Sequence, residues 1–283
     1  MVTVLKPVLQ NEAFLADVAK ARADASRLHL WWLGQSGFLI QWADRHLLLD
    51  PYLSDSLTLK YASTDKPHVR MTERVIAPEQ LNFVDVVTST HNHTDHLDAE
   101  TLLPLIQVNP EMDLIIPEAN RDFVANRLAV PKEFPKGLNA GDKLSAKGFG
   151  FHGVPAAHNE LETDPLGRHK YLGYVVEAGP FRIYHSGDTK LYPGMEDRLR
   201  PFQVHLALLP INGDRPERRV AGNLNGKEAA TLAKAIGARM VFPCHYDMFE
   251  FNTASPAEFV ATANQIGQPC KVLKCGERWS IAP

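Results

Sequence analysis

Cysteine is scarce in this chain, with three residues, Cys244, Cys270 and Cys275, among 283. So few cysteines over such a length form no disulfide framework of the kind that stabilises small secreted domains. Long apolar runs are also missing, and no stretch approaches the roughly 20 residues of a membrane span. Residues 1–11 carry one lysine and no sustained apolar core, so we expect no secretory signal. These absences predict a cytoplasmic protein without a membrane partner.

An excess of positive charge is missing as well. The 30 Lys and Arg residues face 33 Asp and Glu residues, which gives a formal net charge of -3. A chain without a global positive field does not attract nucleic acid, so we predict no nucleic-acid partner. With 45% hydrophobic and 22% charged residues, the composition is that of an ordinary globular protein. We expect a small-molecule substrate, and the composition leaves the oligomeric state, including a homo-oligomer, open.

Strand-like and helix-like segments alternate along the chain without a linker or a change in composition between them. Apolar and β-branched runs predict strands, and helical periodicity with capping residues predicts helices. The predicted strands are 28–41 (broken at Gly34 and Gly37), 46–49, 83–90, 113–116, 150–154, 171–177, 181–185, 204–209, 241–243, 271–274 and 278–281. The predicted helices are 11–26, 98–108, 118–128, 226–236 (capped by Asn225 and Glu228) and one opened by Ser255-Pro256-Ala257-Glu258. We predict a single α/β domain over residues 1–283, with residues 1–26 appended as an N-terminal helix.

The segment 90–96, Thr-His-Asn-His-Thr-Asp-His, is the most informative stretch. It places three imidazoles and a carboxylate directly after an apolar strand, where α/β proteins bind their ligands. Histidine and carboxylate together suit zinc or a similar divalent ion. Alternate residues of an extended chain point the same way, so His91 and His93 are expected to bind one ion. Asp95 and His96 are then free to bind a second.

Three later segments end in the same kinds of residue. His158, Asp188 and His245 each follow a predicted strand. A lone histidine at a strand end is more often structural than functional. As an ordered series after the first motif, however, the three residues indicate further ligands.

This order of His-x-His-x-Asp-His, His, Asp and His resembles that of the metallo-β-lactamase superfamily, over the chain from Trp31 onwards. The resemblance implies a four-layer αββα sandwich of the α/β (α+β) class, the metallo-β-lactamase fold, with a dinuclear metal site at one edge. The implied ligands are His91, His93 and His158 for a first ion, Asp95, His96 and His245 for a second, and Asp188 as the bridge. The expected cofactors are two divalent ions, zinc or manganese.

Such a ligand set predicts hydrolysis. Two divalent ions lower the pKa of a shared water from ~15.7 towards ~7 and polarise a carbonyl or phosphoryl oxygen. Asp95 is placed to orient the resulting hydroxide or to pass a proton to the leaving group. Asp188 and His245 complete the predicted catalytic residues.

Within the superfamily, the chain looks like the L-ascorbate-6-phosphate lactonase group. The matching stretches are 32–38, 49–55, 171–174 and 184–189. The best-known β-lactamases have cysteine where this chain has Asp188, and flavodiiron proteins have glutamate in place of His93. The nuclease branch inserts a domain for which the 56 residues between Asp188 and His245 leave no room. The resemblance implies an enzyme that opens a lactone or related ester of a small, anionic, sugar-phosphate-like metabolite.

Substrate contacts are expected in two segments. Residues 52–74 form a long segment after a strand and predict a lid over the metals, with a solvated loop as the alternative. Residues 211–227 run into a helix start, where N–H groups and cations bind phosphate or carboxylate. A solvated charge run is the alternative there. The predicted contacts are Tyr52, Arg215, Arg219, Asn223 and Lys227.

Two other functions compete with the lactonase hypothesis. A phosphodiesterase similar to the phospholipase D that acts on N-acyl phosphatidylethanolamines is disfavoured, because no amphipathic basic helix supplies a membrane-facing surface. A non-catalytic metal-binding protein with the same fold is disfavoured because all seven ligand types are present.

Overall fold

The computed structural model describes residues 4–283, so the first three residues of the predicted domain lie outside the described part. The strands are β1 (Leu28–Gly34), β2 (Gly37–Trp42), β3 (Arg45–Leu49), β4 (Val86–Thr88), β5 (Asp113–Pro117), β6 (Lys136–Leu138), β7 (Lys143–Ala146), β8 (Phe149–Pro155), β9 (Leu172–Ala178), β10 (Phe181–His185), β11 (Leu206–Pro210), β12 (Met240–Cys244) and β13 (Arg278–Ile281). The helices are α1 (Glu12–Arg22), α2 (Ser56–Tyr61), α3 (Ala99–Val108), α4 (Arg121–Leu128), α5 (Met195–Leu199), α6 (Gly226–Ala235) and α7 (Ala257–Ile266).

Two mixed sheets form the centre of the molecule. The seven-stranded sheet has the order β13-β1-β2-β3-β4-β5-β6, and the six-stranded sheet has the order β12-β11-β10-β9-β8-β7. In the first sheet, β3 to β6 are parallel and the strands before them antiparallel. In the second, β10, β11 and β12 are parallel. Helices flank both sheets, which confirms the predicted sandwich.

The two sheets share one hydrophobic core. Every residue of β1 and β11 is buried, which explains why these strands are apolar runs and do not alternate. Aromatic rings pack between the sheets: the centroids of Trp42 and Phe181 are 5.4 Å apart, and those of Phe242 and Trp279 are 5.1 Å apart. Edge-on ring packing of this kind adds to the stability that burial alone provides.

Several predicted elements are present with shifted ends, and one is wrong. The capping box of α6 is confirmed, because Asn225 and Glu228 exchange two hydrogen bonds of 2.9 Å. Helix α7 begins at Ala257, one residue later than expected, although the Ser255 hydroxyl still accepts from its N–H at 3.2 Å. Residues 271–274 form no strand, since the chain makes only an isolated bridge between Val241 and Cys270.

The ends of four strands carry the candidate site. His91 follows β4, His158 follows β8, Asp188 follows β10 and His245 follows β12. The parallel pairing of β10, β11 and β12 brings the carboxyl ends of those strands to the same edge of their sheet. Within residues 4–283, no helix has the length and apolar character that a membrane crossing requires.

Gln41 and His46 form a buried polar pair in the first sheet. They are cross-strand partners in β2 and β3, both are fully buried, and neither side chain forms a hydrogen bond to any residue of the described range 4–283. The His46 ring packs against Phe83 at 4.8 Å. Burial, with a smaller contribution from Arg22, lowers the pKa of His46 to about 4. The native protein therefore keeps this imidazole neutral at pH values where the unfolded chain protonates it.

His46 should make stability depend on pH. As the pH falls from about 6.5 to 4, the unfolded chain binds a proton that the native state excludes, so the free energy of unfolding falls by roughly 3 kcal/mol at most. We expect His46→Leu to remove this part of the acid destabilisation. Urea denaturation at pH 7 and pH 4.5, with chelator present throughout, measures it. Gln41→Leu is the matched control and should change stability equally at both pH values; an unchanged pH slope in His46→Leu would contradict the assignment.

Candidate metal centre

The first motif lies in a tight turn between β4 and α3. Residues 90–97 form bends and turns, so the expectation that His91 and His93 lie on an extended chain is wrong. The backbone N–H groups of His96 and Leu97 both bond to the His93 carbonyl, at 3.0 and 2.8 Å. The turn nevertheless brings the imidazoles together, because His91 presents Nε2 and His93 presents Nδ1, which are 3.0 Å apart.

Three imidazoles make up the first ligand group. The Nε2 atom of His158 lies 3.1 Å from the same Nδ1 atom of His93. His91, His93 and His158 can each offer one nitrogen, all within 4.8 Å of one another. Burial lowers the pKa of His91 well below its usual value and that of His158 to about 4. These imidazoles are neutral at pH 7, which is the form that binds a metal.

Two carboxylates and two imidazoles make up the second group: Asp95, His96, Asp188 and His245. The Nε2 atom of His245 lies 3.6 Å from Oδ2 of Asp95 and 3.2 Å from Oδ2 of Asp188. The Nε2 atom of His96 lies 3.6 Å from Asp95 and 3.3 Å from Asp188. The Asp188 carboxylate is also 3.6 Å from Nε2 of His158. It therefore lies between the two groups, where a bridge was predicted.

The donor atoms fit divalent cations. Ligands about 2.0–2.1 Å from a tetrahedral ion lie roughly 3.4 Å from one another, which matches the 3.2–3.6 Å separations of the second group. The Nε2 atom of His96 is buried and forms no hydrogen bond within the described residues. Its nearest carboxylate oxygen, on Asp188, lies 3.3 Å away, a spacing at which the two atoms can share an ion. That the ions are zinc or manganese stays a prediction.

Electrostatics also favours cations here. Burial opposes ionisation of Asp188, but His245 and His96 outweigh it and hold the pKa of that carboxyl well below its usual range. Burial lowers the pKa of His245, but Asp188 and Asp95 overcome this effect and raise it to about 9. Asp188, which is buried, and Asp95, which is partly buried, are thus stabilised by positive charge, which protons on the histidines supply when no metal is bound. Divalent ions provide the same compensating positive charge, and their binding releases the protons from the histidines.

Asp50 orients His96. It is fully buried, and its Oδ2 atom accepts a 2.7 Å hydrogen bond from Nδ1 of His96. The Thr88 hydroxyl donates to its Oδ1 atom at 2.8 Å, and the Thr90 hydroxyl and backbone N–H donate to Oδ2. This network fixes the proton of His96 on Nδ1 and directs Nε2 towards the site. The sequence prediction missed Asp50, although it lies in the matching stretch 49–55.

Gln35 is a second residue that the sequence prediction missed. Its side chain is fully buried at the turn between β1 and β2. The Nε2 amide donates to Oδ2 of Asp95 at 2.7 Å and lies 3.0 Å from Nε2 of His245. The available signal was the Gly-Gln-Ser-Gly sequence between two strands, which predicts a turn and gives no indication of its distant partners.

The predicted substrate contacts are mostly placed elsewhere. Tyr52 is buried, and its hydroxyl accepts from the Leu57 N–H at 3.0 Å. Arg215 and Lys227 are exposed and do not line the cavity above the metal groups. Anion binding by Arg215, Lys227 and the start of α6 would therefore lie outside this cavity, and it stays a prediction. At that helix start the capping box satisfies the N–H groups of Asn225 and Glu228.

Asn223 supports a metal ligand. It is buried, and its Oδ1 atom lies 3.1 Å from Nδ1 of His158, which also lies 3.0 Å from the Gly222 carbonyl. The Asn223 amide in turn donates to Oδ1 of Asn212 at 3.0 Å. These acceptors place the His158 proton on Nδ1 and leave Nε2 as the ligand atom. Asn223 therefore orients His158 and does not line the substrate cavity, contrary to the sequence prediction.

A cavity of about 400 Å³ opens above the two groups. Its floor is formed by Gln35, His93, Asp95, His158, Asp188 and His245, and its walls include Leu57, Lys60, Tyr61, His68, Arg127, Arg219, Phe249 and Phe251. Four of these wall residues belong to the segment 52–74, which was predicted to be a lid. Of the five predicted substrate contacts, Arg219 is the one that lines the cavity.

Comparison with known proteins agrees with this geometry. A family model described as "Beta-lactamase superfamily domain" matches residues 29–245. A "UPF0173 metal-dependent hydrolase" of Methanoregula boonei is 30% identical over 261 residues, which are 90% of this chain and 99% of that protein. Another protein of that description, from Methanosarcina mazei, is 28% identical over 236 residues, 82% of this chain and 89% of its own.

Solved structures show the same fold. An isothiocyanate hydrolase from Delia radicum gut bacteria superposes with a TM-score of 0.70 at 20% identity, covering 90% of this chain and 99% of that one. Igni18, a metallo hydrolase from Ignicoccus hospitalis, gives a TM-score of 0.66 at 22% identity, covering 90% and 98%. At these identities the likeness establishes the metallo-β-lactamase fold.

Removing the Asn223 side chain should weaken metal binding at the three-histidine group. Loss of a hydrogen bond to a metal-bound imidazole typically lowers metal affinity about 10–100-fold. The Gly222 carbonyl would still accept from Nδ1 of His158, so we expect a decrease at the lower end of this range. We expect Asn223→Ala to lose about tenfold in affinity for one of two ions, measured by titration against a competing chelator. Asn264→Ala, on the exposed face of α7, is the control. Equal affinities in Asn223→Ala and wild type would contradict the role of Asn223.

Proposed function

This chain belongs to the β-lactamase superfamily and to its UPF0173 metal-dependent hydrolases, and on that premise we propose that it opens a lactone or related ester of a small anionic metabolite. One observation carries the proposal: donor atoms from four strand ends converge at the floor of a cavity large enough for a metabolite. Cavities of roughly 300–1,000 Å³ are typical of small-molecule sites, and the cavity here, at about 400 Å³, is within that range.

The floor supplies the groups that ester hydrolysis needs. Bound divalent ions supply Lewis acidity and make an ionised water available at neutral pH. Asp95 lines the cavity, and its pKa lies well below the usual range, since His96 and His245 outweigh the effect of burial. Its carboxylate is thus ionised, so it can orient the attacking water through a hydrogen bond and relay a proton from it to the leaving alkoxide. The Gln35 amide holds that carboxylate in position.

Three cationic side chains line the walls, and two of them, Lys60 and Arg219, support an anionic substrate. Lys60 is exposed at the cavity and forms no ion pair within the described residues. Arg219 lines the same cavity and pairs with the exposed Asp65 at 2.6 Å. Exposed pairs of this type are weak, about 0–1 kcal/mol, so a substrate carboxylate or phosphate can share Arg219. Zinc, manganese and the metabolite itself belong to this proposal.

Asp95→Asn should abolish turnover while preserving the fold. The substitution keeps the shape of the side chain but removes the charge and the proton acceptor, so kcat should fall by about 10²–10⁴. Hydrolysis of a panel of lactones, esters and phosphodiesters, each with and without chelator, provides the assay. Asp197→Asn, at an exposed position on α5, is the control. Full activity in Asp95→Asn, or activity that survives complete metal removal, would refute the proposed function.

The wall cations should discriminate between substrates by charge. We expect Lys60→Ala combined with Arg219→Ala to raise KM for a carboxylate-bearing ester about fivefold, corresponding to ~1 kcal/mol for an exposed ionic contact. The neutral methyl ester of the same compound should be unaffected. Arg215→Ala is the matched control, because Arg215 is exposed outside the cavity. Equal changes in KM for both compounds would show that the two cations do not bind the anion.

A further inference from the structure

The cavity has one wall that is built largely from rings. Five residues form it, and we call them the aromatic wall: Leu57, Tyr61, His68, Phe249 and Phe251. They come from two segments distant in the chain, the one around α2 and the one that follows His245. Phe249 is buried at 2% exposure, whereas Tyr61, His68 and Phe251 are half-buried. Ring surface in this wall therefore remains accessible from the cavity.

The rings are held in place before any ligand binds. His68 stacks on Tyr61, with centroids 4.1 Å apart and planes 17° apart, and lies 4.4 Å from the Phe251 ring. The Thr58 hydroxyl donates to the His68 carbonyl at 2.8 Å. Buried Tyr52 supports Phe249 from behind at 5.8 Å. A fixed wall costs a ligand little conformational entropy on binding.

Charge restricts what such a wall can bind. Aromatic clusters commonly bind cations, but here lysines already occupy that role. The Nζ atom of Lys60 lies 5.1 Å from the Tyr61 centroid, and that of Lys66 lies 5.8 Å from the Phe251 centroid. A cationic ligand would be repelled by both. A neutral ring is compatible with the wall, and an anionic group on the same molecule is compatible with Lys60.

We propose that the aromatic wall is a subsite for a planar aryl group of the substrate, with the hydrolysed bond over the metal floor of the same cavity. The proposal rests on the hydrolase function proposed above and narrows it to aryl-bearing esters or lactones that are neutral or anionic. Flat rings offset or edge-on to the wall gain packing that a saturated ring of similar size does not reproduce. The floor holds the polar end of the molecule and the wall selects its apolar end.

Binding of simple carboxylates tests the subsite without requiring turnover. The probes are acetate, phenylacetate, cyclohexylacetate and 2-phenylethylamine, titrated calorimetrically into the full-length, metal-loaded protein. We expect phenylacetate to bind at least tenfold more tightly than acetate and more tightly than cyclohexylacetate. The amine should bind most weakly of the ring compounds. Equal affinities for acetate and phenylacetate, preference for the saturated ring, or preference for the amine would each overturn the proposal.

Variants locate the effect. Phe251→Ala should reduce phenylacetate affinity about tenfold and leave acetate affinity unchanged, since acetate reaches only the floor; Phe251→Leu keeps apolar volume and should lose the preference for the planar ring. Phe202→Ala removes a half-buried ring outside the cavity and is the control. Phenylacetate affinity that is unchanged in Phe251→Ala would also overturn the subsite.

Binding and hydrolysis can fail separately. Aryl preference in a protein that hydrolyses no lactone or ester would refute the proposed function and leave the subsite standing as a binding site. Hydrolysis that is indifferent to aryl substituents would refute the subsite and leave the hydrolase function standing.

Discussion

The Asp188 carboxylate is the group on which the site depends. It is almost completely buried, yet it is ionised because His245 and His96 outweigh the effect of burial on its pKa. His96, His158 and His245 all approach it within 3.2–3.6 Å. The turn that carries it is equally constrained, since Gly187 has φ +58 and a Cβ there would lie 2.6 Å from the Thr90 side chain. A buried charge without compensating charge would be very costly, so the fold and the metal site are coupled through this residue.

The fold meets this constraint by fixing the two sheets against each other. The first motif leaves the end of β4 in one sheet, whereas Asp188 and His245 leave β10 and β12 in the other. Direct bonds connect these parts: the Leu172 N–H donates to the Thr90 carbonyl, and the Tyr174 hydroxyl to the Ser89 carbonyl, both at 3.0 Å. Because β9 pairs with β10, these bonds fix the first motif, after β4, relative to Asp188, after β10.

The sequence permitted prediction of the seven residues that the structure brings together in the two candidate ligand groups, and of most of the strands, because both depend on local pattern. The sandwich itself followed only from a family resemblance. Partners distant in the chain were not predictable: Asp50 is 46 residues from His96, and Gln35 is 60 residues from Asp95. Asn223 carried a correct signal, a polar residue near the site, but the wrong role, since only the packed structure shows that it faces His158. Segment 211–227 looked cationic because its charges are dense, although most of them lie outside the cavity.

The floor and the aromatic wall of the cavity differ in what they can contribute to substrate specificity. Under the proposed function, the charged groups and candidate metal ligands of the floor would act on any carbonyl brought close to them, so the floor alone would discriminate poorly between esters. A hydrophobic wall adds selectivity through the surface it covers, typically about 1–3 kcal/mol for a small difference in shape. Here the wall comes from residues 52–74 and 246–252. Neither segment contains a candidate ligand, and only the second is adjacent in sequence to one, His245, so the shape of the wall can vary without moving the metal site. In this proposal, substrate selection and bond cleavage depend on different segments of the chain. Lys60, which lines the same cavity, would add the charge of the substrate as a second criterion beside its shape.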